Sequence, residues 1–440
     1  MLTIDIFLNN LCIIIIKETV NLGGLNIQKK IIGIFVVTLL IGTTILPVVR
    51  SLSDNLDILE LQDNSISDQI FDLILTSLMK IGHFPSLSTC IIKDDEVVWS
   101  NGYGLYDIEG EKYATENTIY MSCSISKTIT GTALMQLYEQ DFFDLDDDVN
   151  DYLPFGLRNP NFPEDPITFR MLLSHASSIN NDPDSFYWYN YSIDPPISWY
   201  PNPWLIEYLM PDGNYYVPEI WDDKNLPGAE AEYANVNFVI ISYLVELISG
   251  EPFLEYCTEH ILTPLEMYNS SFNLSYFDID NIAIPYHYRN GEFYTINNLV
   301  DIGWEWFNPP DIIYYRMLHY PIGGFYTSVS DLSHFLIAHM NGGVYNGVRI
   351  LEEDTINEMH KIQPPNVGYG LAWYYTRSQY GKIFSGHQGN IPGYHTSMLV
   401  NYPNNDNGVI FFVNGDRYNS VGEYIAEIIR GILFLKANQF

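Results

Sequence analysis

Apolar positions recur along this chain in three ways. Between Ile70 and Ile81 they fall at Phe71, Leu73, Ile74, Leu78 and Met79, the spacing of one face of an amphipathic helix. The segment SLSTCIIKDDEVVWSNGYG reads as two strands joined at a Lys-Asp-Asp-Glu turn. From Phe238 to Ile248 the run FVIISYLVELI is apolar nearly all round, which predicts a buried helix ended by Gly250 and Pro252. A further helix is expected from Ser124 to about Glu139. Towards the C-terminus GYGLAWYY, GYHTSMLVNYP and NGVIFFVNGD read as strands, and Val421 to about Lys436 as a last helix. Strands therefore lie towards both ends with helices between them. One sheet drawn from both ends, with a helical insertion, is the economical arrangement.

Two segments break these patterns. Lys29-Lys30 precedes an uncharged apolar run from Ile31 to Val49, closed by Arg50. That run is long enough to span a bilayer and has the basic, apolar, small-polar order of a secretory signal. Residues 1–50 are expected to form a leader, either an anchor or a signal cut after Ser51 or Ser53. The lysines ahead of the run place the rest of the chain outside the cytoplasm, membrane-anchored or secreted. From Pro183 to Trp221, Pro, Tyr and Trp crowd together without helical or strand period. This stretch is expected either to pack on itself or to form a wall or lid of a substrate cleft.

Charge narrows the possible partners. The chain has 54 Asp+Glu against 20 Lys+Arg, a net charge of −34. The acidic share is ordinary and the basic share about half the usual one. Such a surface repels phosphate backbones and anionic lipid, so no nucleic acid is expected, and membrane contact only through the N-terminal segment. Hydrophobic residues at 47% exclude wholesale disorder. Cys12, Cys90, Cys123 and Cys257 are scattered, with neither a zinc spacing nor a disulfide framework. DLDDDVND lacks the glycine and glutamate of a calcium loop and reads as a solvated turn.

The candidate chemistry rests on three short motifs. Ser124-Ile125-Ser126-Lys127 puts a serine and a lysine one helical turn apart, so that a neutral lysine can take the hydroxyl proton. Ser77-Leu78-Met79-Lys80 has the same spacing, but Ser77 lies within an amphipathic helix. Ser124 follows an extended TIYMSC run and opens a new helix, whose N-terminus favours negative charge on oxygen. Tyr233-Ala234-Asn235 directly precedes the buried helix, unlike Tyr200-Pro201-Asn202 and Tyr402-Pro403-Asn404, whose central proline suggests turns. His387-Gln388-Gly389, in SGHQGNIPGYHTSML, is the only His-x-Gly in the chain. It sits before an expected strand, where Gly389 lets a substrate lie close to backbone N–H groups.

Ordered Ser-x-x-Lys, Tyr-x-Asn and His-x-Gly resemble the serine β-lactamase-like family. That family includes class C β-lactamases, D-alanyl-D-alanine carboxypeptidases and other penicillin-binding proteins, D-aminopeptidases and β-lactamase-fold esterases. NGYGLYDIEG, DFFDLDDDVNDYLP, ITFRMLLSHASSI, AEYANVNFVIISYLVE and PIGGFYTSVSDLSHFL resemble its other landmarks, and the likeness runs from about Phe71 to Leu433. One departure is Ser178, where a glycine is usual.

The resemblance implies an α+β, β-lactamase/transpeptidase-like fold. An antiparallel sheet from both termini is flanked by helices (about 55–130 and 320–440), and a mostly helical part (about 130–320) is inserted. The active site lies between the two parts. It implies a serine hydrolase working through an acyl-enzyme on an amide or ester, with a D-amino-acid peptide, a β-lactam or a simple ester as substrate. Ser124 is then the nucleophile, and Lys127 and Tyr233 share the proton work. Asn235 bonds Lys127 or the substrate, and the backbone N–H groups of Ser124 and Asn390 form the oxyanion hole. His387 stands where other members carry lysine and is expected to meet a substrate carboxylate, weakening as pH rises through its own titration. Ser174-His175 is structural in the family. No metal or organic cofactor is implied. The alternative of a different class is a catalytically silent surface-binding domain.

Overall fold

In SLSTCIIK and NGVIFFV, successive side chains go to opposite faces of a sheet, and here both faces are covered. The computed structural model of the chain describes residues 68–180, 203–295, 314–315, 317–364, 368–377, 383–415 and 420–440. The leader expected over residues 1–50 lies outside them, as does the stretch 183–202 that holds Phe186, Tyr187, Trp188, Tyr189 and Trp199.

Seven strands form one sheet: β1 Ser86–Lys93, β2 Glu96–Asp107, β3 Lys112–Tyr113, β4 Tyr374–Arg377, β5 Ile383–Ile391, β6 Tyr394–Tyr402 and β7 Asn407–Val413. Their order is β4-β5-β6-β7-β1-β2-β3, and every neighbouring pair is antiparallel. The two ends of the chain meet where Thr89 faces Phe411. Asp94 and Asp95 both take left-handed φ (49° and 65°) in the turn between β1 and β2, which the aspartates tolerate.

The C-terminal strands differ from expectation in one way. GYGLAWYY supplies only the start of short β4, and SGHQGNI, expected to lead into a strand, is itself strand β5. Glycines ordinarily weaken a strand, but here close approach requires them. A Cβ at Gly386 would meet the Met398 carbonyl oxygen at 2.0 Å.

Five longer helices cover the sheet: α1 Asp68–Gly82, α2 Ser126–Glu139, α3 Val236–Ser249, α4 Val329–Met340 and α5 Ser420–Ala437. On one face α1 and α5 pack with Leu87, Ile91, Val409, Phe411 and Val413. Lys436 Nζ ties α5 to α1 through Asp68 Oδ1 at 2.9 Å. On the other face Cys90, Ile92, Ile410 and Phe412 join a larger core with α2, α3 and α4. Helix α2 is buried on every side from Ser126 to Leu137. Its small residues permit that: a Cβ on Gly131 would stand 2.3 Å from Ala372 Cβ. Helix α3 ends at Gly250 in the left-handed conformation. Among the described residues no single helix is long and apolar enough to cross a membrane.

Candidate active site

Ser124 is the half-buried centre of a 3₁₀ turn, Cys123–Ile125, immediately ahead of α2. The α-helix proper begins at Ser126, two residues later than expected. Cys123, just before the serine, takes φ +53°, a left-handed conformation that needs support from its surroundings. That support comes from three segments. The Ser122 N–H donates to the Phe325 carbonyl at 2.7 Å, and the Phe325 N–H donates to Ser126 Oγ at 3.0 Å. Ser126 Oγ donates to the Cys123 carbonyl at 2.6 Å, and Thr396 Oγ1 from β6 donates to the Ser122 carbonyl at 2.7 Å.

Gly389 explains how β5 reaches this turn. A Cβ there would meet Ser122 O at 2.4 Å and Cys123 Cβ at 2.6 Å. The side of Gly389 where a Cβ would stand is thus occupied by the backbone of the serine turn. Asn390, next along β5, faces His395 in the register with β6, and its Oδ1 is buried with no hydrogen-bond partner among the described residues.

Lys127 is fully buried. Its Nζ donates to Ser124 Oγ at 3.2 Å and to the Ile322 carbonyl at 2.7 Å. Neither partner carries a charge, so burial pushes the ammonium pKa down to about 7, with Cys123 opposing slightly. The Tyr233 hydroxyl donates to the same Ser124 Oγ at 3.1 Å, and its ring centroid lies 5.1 Å from Lys127 Nζ. Asn235 sits two residues further on, half-buried at the head of α3. One hydroxyl thus contacts a buried amine and a phenol, the arrangement from which a proton can leave as the oxygen attacks.

His387 departs from expectation. It is buried within β5, its ring 6.3 Å from that of Tyr233. Burial and the neighbouring Lys127 push its pKa down to about 3. The ring is therefore neutral near pH 7, and the expected salt bridge that weakens through a titration near neutrality has no charge to carry it. Nδ1 lies 2.7 Å from the Gln388 carbonyl oxygen, which can only accept, so Nδ1 bears the proton and Nε2 the lone pair.

Among the described residues, the side chains of the remaining motifs make no hydrogen bond to Ser124 Oγ. Ser174 Oγ donates to the Arg170 carbonyl at 2.7 Å and belongs to the scaffold. Ser178 adopts φ +60°, so the serine takes the conformation that a glycine would. In DLDDDVND, Asp146 pairs with Arg170 and Asp148 with Arg158. Cys90, Cys123 and Cys257 are buried free thiols. Among the described residues only Glu251, Glu259 and His260 have metal-ligand spacing. They lie around the turn after α3, where His260 Nε2 already pairs with Glu251 at 3.1 Å. From the aromatic stretch, Leu205, Tyr208 and Trp221 pack into the larger core and Trp204 stacks on Tyr208, whereas Tyr215 is exposed. Sequence reasoning did not find the Ile322 carbonyl, because a main-chain acceptor leaves no residue signature. The paired glycines of PIGGFY are the nearest signal.

A family model described as Beta-lactamase matches residues 71–433. The chain belongs to the beta-lactamase family. "Protein flp" of Staphylococcus aureus (strain MW2) is 24% identical over 370 residues, 82% of this chain. The chain spans 65% of the length of that curated relative. The octameric penicillin-binding protein homologue from Pyrococcus abyssi superposes with a TM-score of 0.62 at 24% identity, covering 83% of this chain and 78% of that one. D-amino acid amidase from Ochrobactrum anthropi SV3 gives 0.59 at 19% identity, covering 83% and 98%. At these identities the structural likeness establishes the β-lactamase/transpeptidase fold.

Proposed function

We propose that this beta-lactamase family member is a serine hydrolase that cleaves an amide or ester through an acyl-enzyme. The observation that carries the reading is the convergence of Lys127 Nζ and the Tyr233 hydroxyl on Ser124 Oγ, at 3.2 and 3.1 Å. Ser124 Oγ attacks the carbonyl carbon while its proton passes to the Lys127–Tyr233 pair. The negative charge on the carbonyl oxygen is met by the backbone N–H groups of Ser124 and Asn390. As the C–N or C–O bond breaks, the same proton goes to the leaving amine or alcohol. Water then attacks the acyl ester, releasing the acid and restoring Ser124. Lys127 and Tyr233 act as a coupled pair. Asn235, at the head of α3, bonds the substrate or Lys127 in this reading.

The neutral His387 supports one choice among substrates. Its lone-pair nitrogen accepts a hydrogen bond and repels a carboxylate. This favours amides and esters with a neutral or N–H-bearing flank, D-amino-acid amides among them, over substrates that end in a free carboxylate. The apolar run Ile31 to Val49 behind Lys29-Lys30, as the sequence of a leader, supports action outside the cytoplasm.

The test is intact-mass detection of adducts after exposure to a β-lactam, a D-amino-acid amide, a D-alanyl-D-alanine peptide and a short-chain ester. The expected result is a covalent adduct on Ser124, with the two carboxylate-bearing compounds, the β-lactam and the peptide, poorer than the amide and the ester. A folded protein that none of the four acylates would leave the reading of a silent binding domain.

A further inference from the structure

The catalytic motifs say nothing of what holds the Tyr233 hydroxyl on Ser124. His175, from the segment LLSHASSI, touches the chain on both sides of Tyr233. The Glu232 N–H donates to the His175 carbonyl oxygen at 2.9 Å. The Ala234 N–H donates to His175 Nδ1 at 3.2 Å. Main chain and side chain of one residue thus grip the peptide N–H groups that flank the tyrosine. The His175 ring also packs on the Tyr233 ring, with centroids 4.5 Å apart. His175 makes these contacts from a left-handed backbone, with φ +59°.

The histidine is itself fixed. It is buried, and Asn237 Nδ2 stands 3.4 Å from the same Nδ1. Ser177 Oγ donates to Asn237 Oδ1 at 2.7 Å, which turns the amide nitrogen towards the ring. With donors facing Nδ1, the ring proton belongs on Nε2. Burial and the nearby Lys127 hold the imidazole neutral, well below its usual pKa. A neutral acceptor suits this place, because a protonated Nδ1 would face the Ala234 N–H donor to donor.

We propose that His175 is a positioning residue of the acyl-transfer site, holding Tyr233 against Ser124 by clamping the main chain on both sides of it. The inference rests on the proton-transfer role given to Tyr233 above. The clamp matters because a tyrosine is a long lever. A backbone rotation of about 10° swings a hydroxyl about 6 Å away by about 1 Å, a displacement that lowers rate on the order of a hundredfold.

The experiment is a mutant cycle on hydrolysis of a short-chain nitrophenyl ester, with melting temperature followed in each variant. His175→Phe removes the acceptor and keeps a ring; kcat is expected to fall about a hundredfold with KM changed less than about twofold. His175→Asn, which keeps an acceptor near the Nδ1 position, is expected to recover about tenfold of that loss. Tyr233→Phe/His175→Phe is expected to be no slower than Tyr233→Phe alone, because the clamp acts only through the hydroxyl. Should His175→Phe not fold, His175→Ala carries the same cycle without added bulk. Losses that multiply in the double variant, or a wild-type rate in His175→Phe beside a crippled Tyr233→Phe, overturn this inference alone. A wild-type rate in Tyr233→Phe overturns the role of the tyrosine and this inference with it.

Discussion

Ser77-Leu78-Met79-Lys80 and Ser124-Ile125-Ser126-Lys127 have the same spacing and share almost nothing else. Ser77 sits mid-helix in α1, its hydroxyl donating to the Leu73 carbonyl at 2.7 Å, and Lys80 is exposed at the end of that helix. Helix α1 buries one face and gives the other to water. Helix α2 is enclosed on every side, and segments around Tyr233, Ile322 and His387 close over its first turn. Spacing alone places a serine near a lysine. Only enclosure by distant segments makes the lysine shed its proton near neutral pH. The motif supplies geometry, and the tertiary structure supplies basicity.

The sharpest way to break the contrast is at the two serines. Ser124→Ala is expected to lower kcat by about 10⁴ to 10⁶, as removal of a nucleophile does. The fold should stay intact, because the backbone bonds of the turn do not use the Ser124 hydroxyl. Ser77→Ala loses only a local bond to the preceding turn, and turnover should match the parent. Steady-state kinetics on both variants decides, and equal losses would show that the two motifs are not distinguished as argued.

At the two lysines, activity and stability should move in opposite directions. Lys127→Met is expected to lower the acylation rate by about 10³. It should also stabilise the protein near pH 7. The folded pKa of Lys127 is about 7 and that of an unfolded lysine near 10.4, so between these values the unfolded chain binds a proton that the folded one does not. Full stability holds above the unfolded value, falls as pH drops through the window and levels off below about 7. Lys127→Met removes that penalty, about 4 kcal/mol at pH 7, and loses the hydrogen bond to the Ile322 carbonyl, about 1 to 2 kcal/mol, for a net gain of about 2 to 3 kcal/mol that narrows as pH nears 10. In the parent, acylation should rise as pH passes upward through about 7. Lys80→Met should change neither property. Urea unfolding at three pH values and a pH–rate profile test both halves.

Much of this was legible in the sequence because it depends on local pattern. The apolar spacing of α1, the all-round apolar run of α3 and the first hairpin needed only neighbouring residues. The order of the three motifs points to Ser124, Lys127 and Tyr233 acting together. What stayed hidden depends on partners distant in the chain. Strand β5 was obscured by glycines whose reason is the Ser122–Cys123 backbone and β6. The neutrality of His387 follows from burial that no local pattern records. The Ile322 carbonyl is a main-chain acceptor, invisible in side-chain identity, and the contacts of His175 fall on main-chain N–H groups far along the chain. Cys123 gives no hint of its left-handed backbone, since cysteine is not a residue type that favours it.

A smaller effect tests whether enclosure of the serine turn is tight, as the contrast requires. Gly389→Ala would drive a methyl into the Ser122 carbonyl and Cys123, neither of them a flexible side-chain end. Overpacking of this kind costs about 1 to 3 kcal/mol, and the displaced turn should lose on the order of a hundredfold in rate. Gly156→Ala is the control, since a Cβ there meets nothing within 4 Å and its φ is not positive. A Gly389→Ala enzyme of parental stability and rate would mean that the turn yields, and that enclosure matters less than the contrast between the two motifs implies.

The smallest expected effect concerns a third serine, which serves the site through its backbone alone. Ser178 closes the segment that carries His175 and holds φ +60°, where a side chain costs about 1 to 2 kcal/mol relative to glycine. Its hydroxyl gives something back: Asn159 Nδ2 donates to Ser178 Oγ at 3.0 Å, and both groups are buried. Ser178→Gly relieves the backbone but loses that acceptor and adds chain entropy to the unfolded state. Asn159 Nδ2 keeps a second acceptor, the Asp222 carbonyl at 2.8 Å, so it is not stranded. These terms nearly cancel, and stability should stay within about 0.5 kcal/mol of the parent with unchanged turnover. Ser178→Ala loses the hydrogen bond and keeps the strain, so it should be destabilised by about 1 kcal/mol. The order glycine above alanine reverses what an ordinary backbone position gives. Chemical denaturation of the two variants reads it directly. If alanine proves the more stable, the left-handed backbone at Ser178 is wrong, and with it the path by which this loop brings His175 to Tyr233.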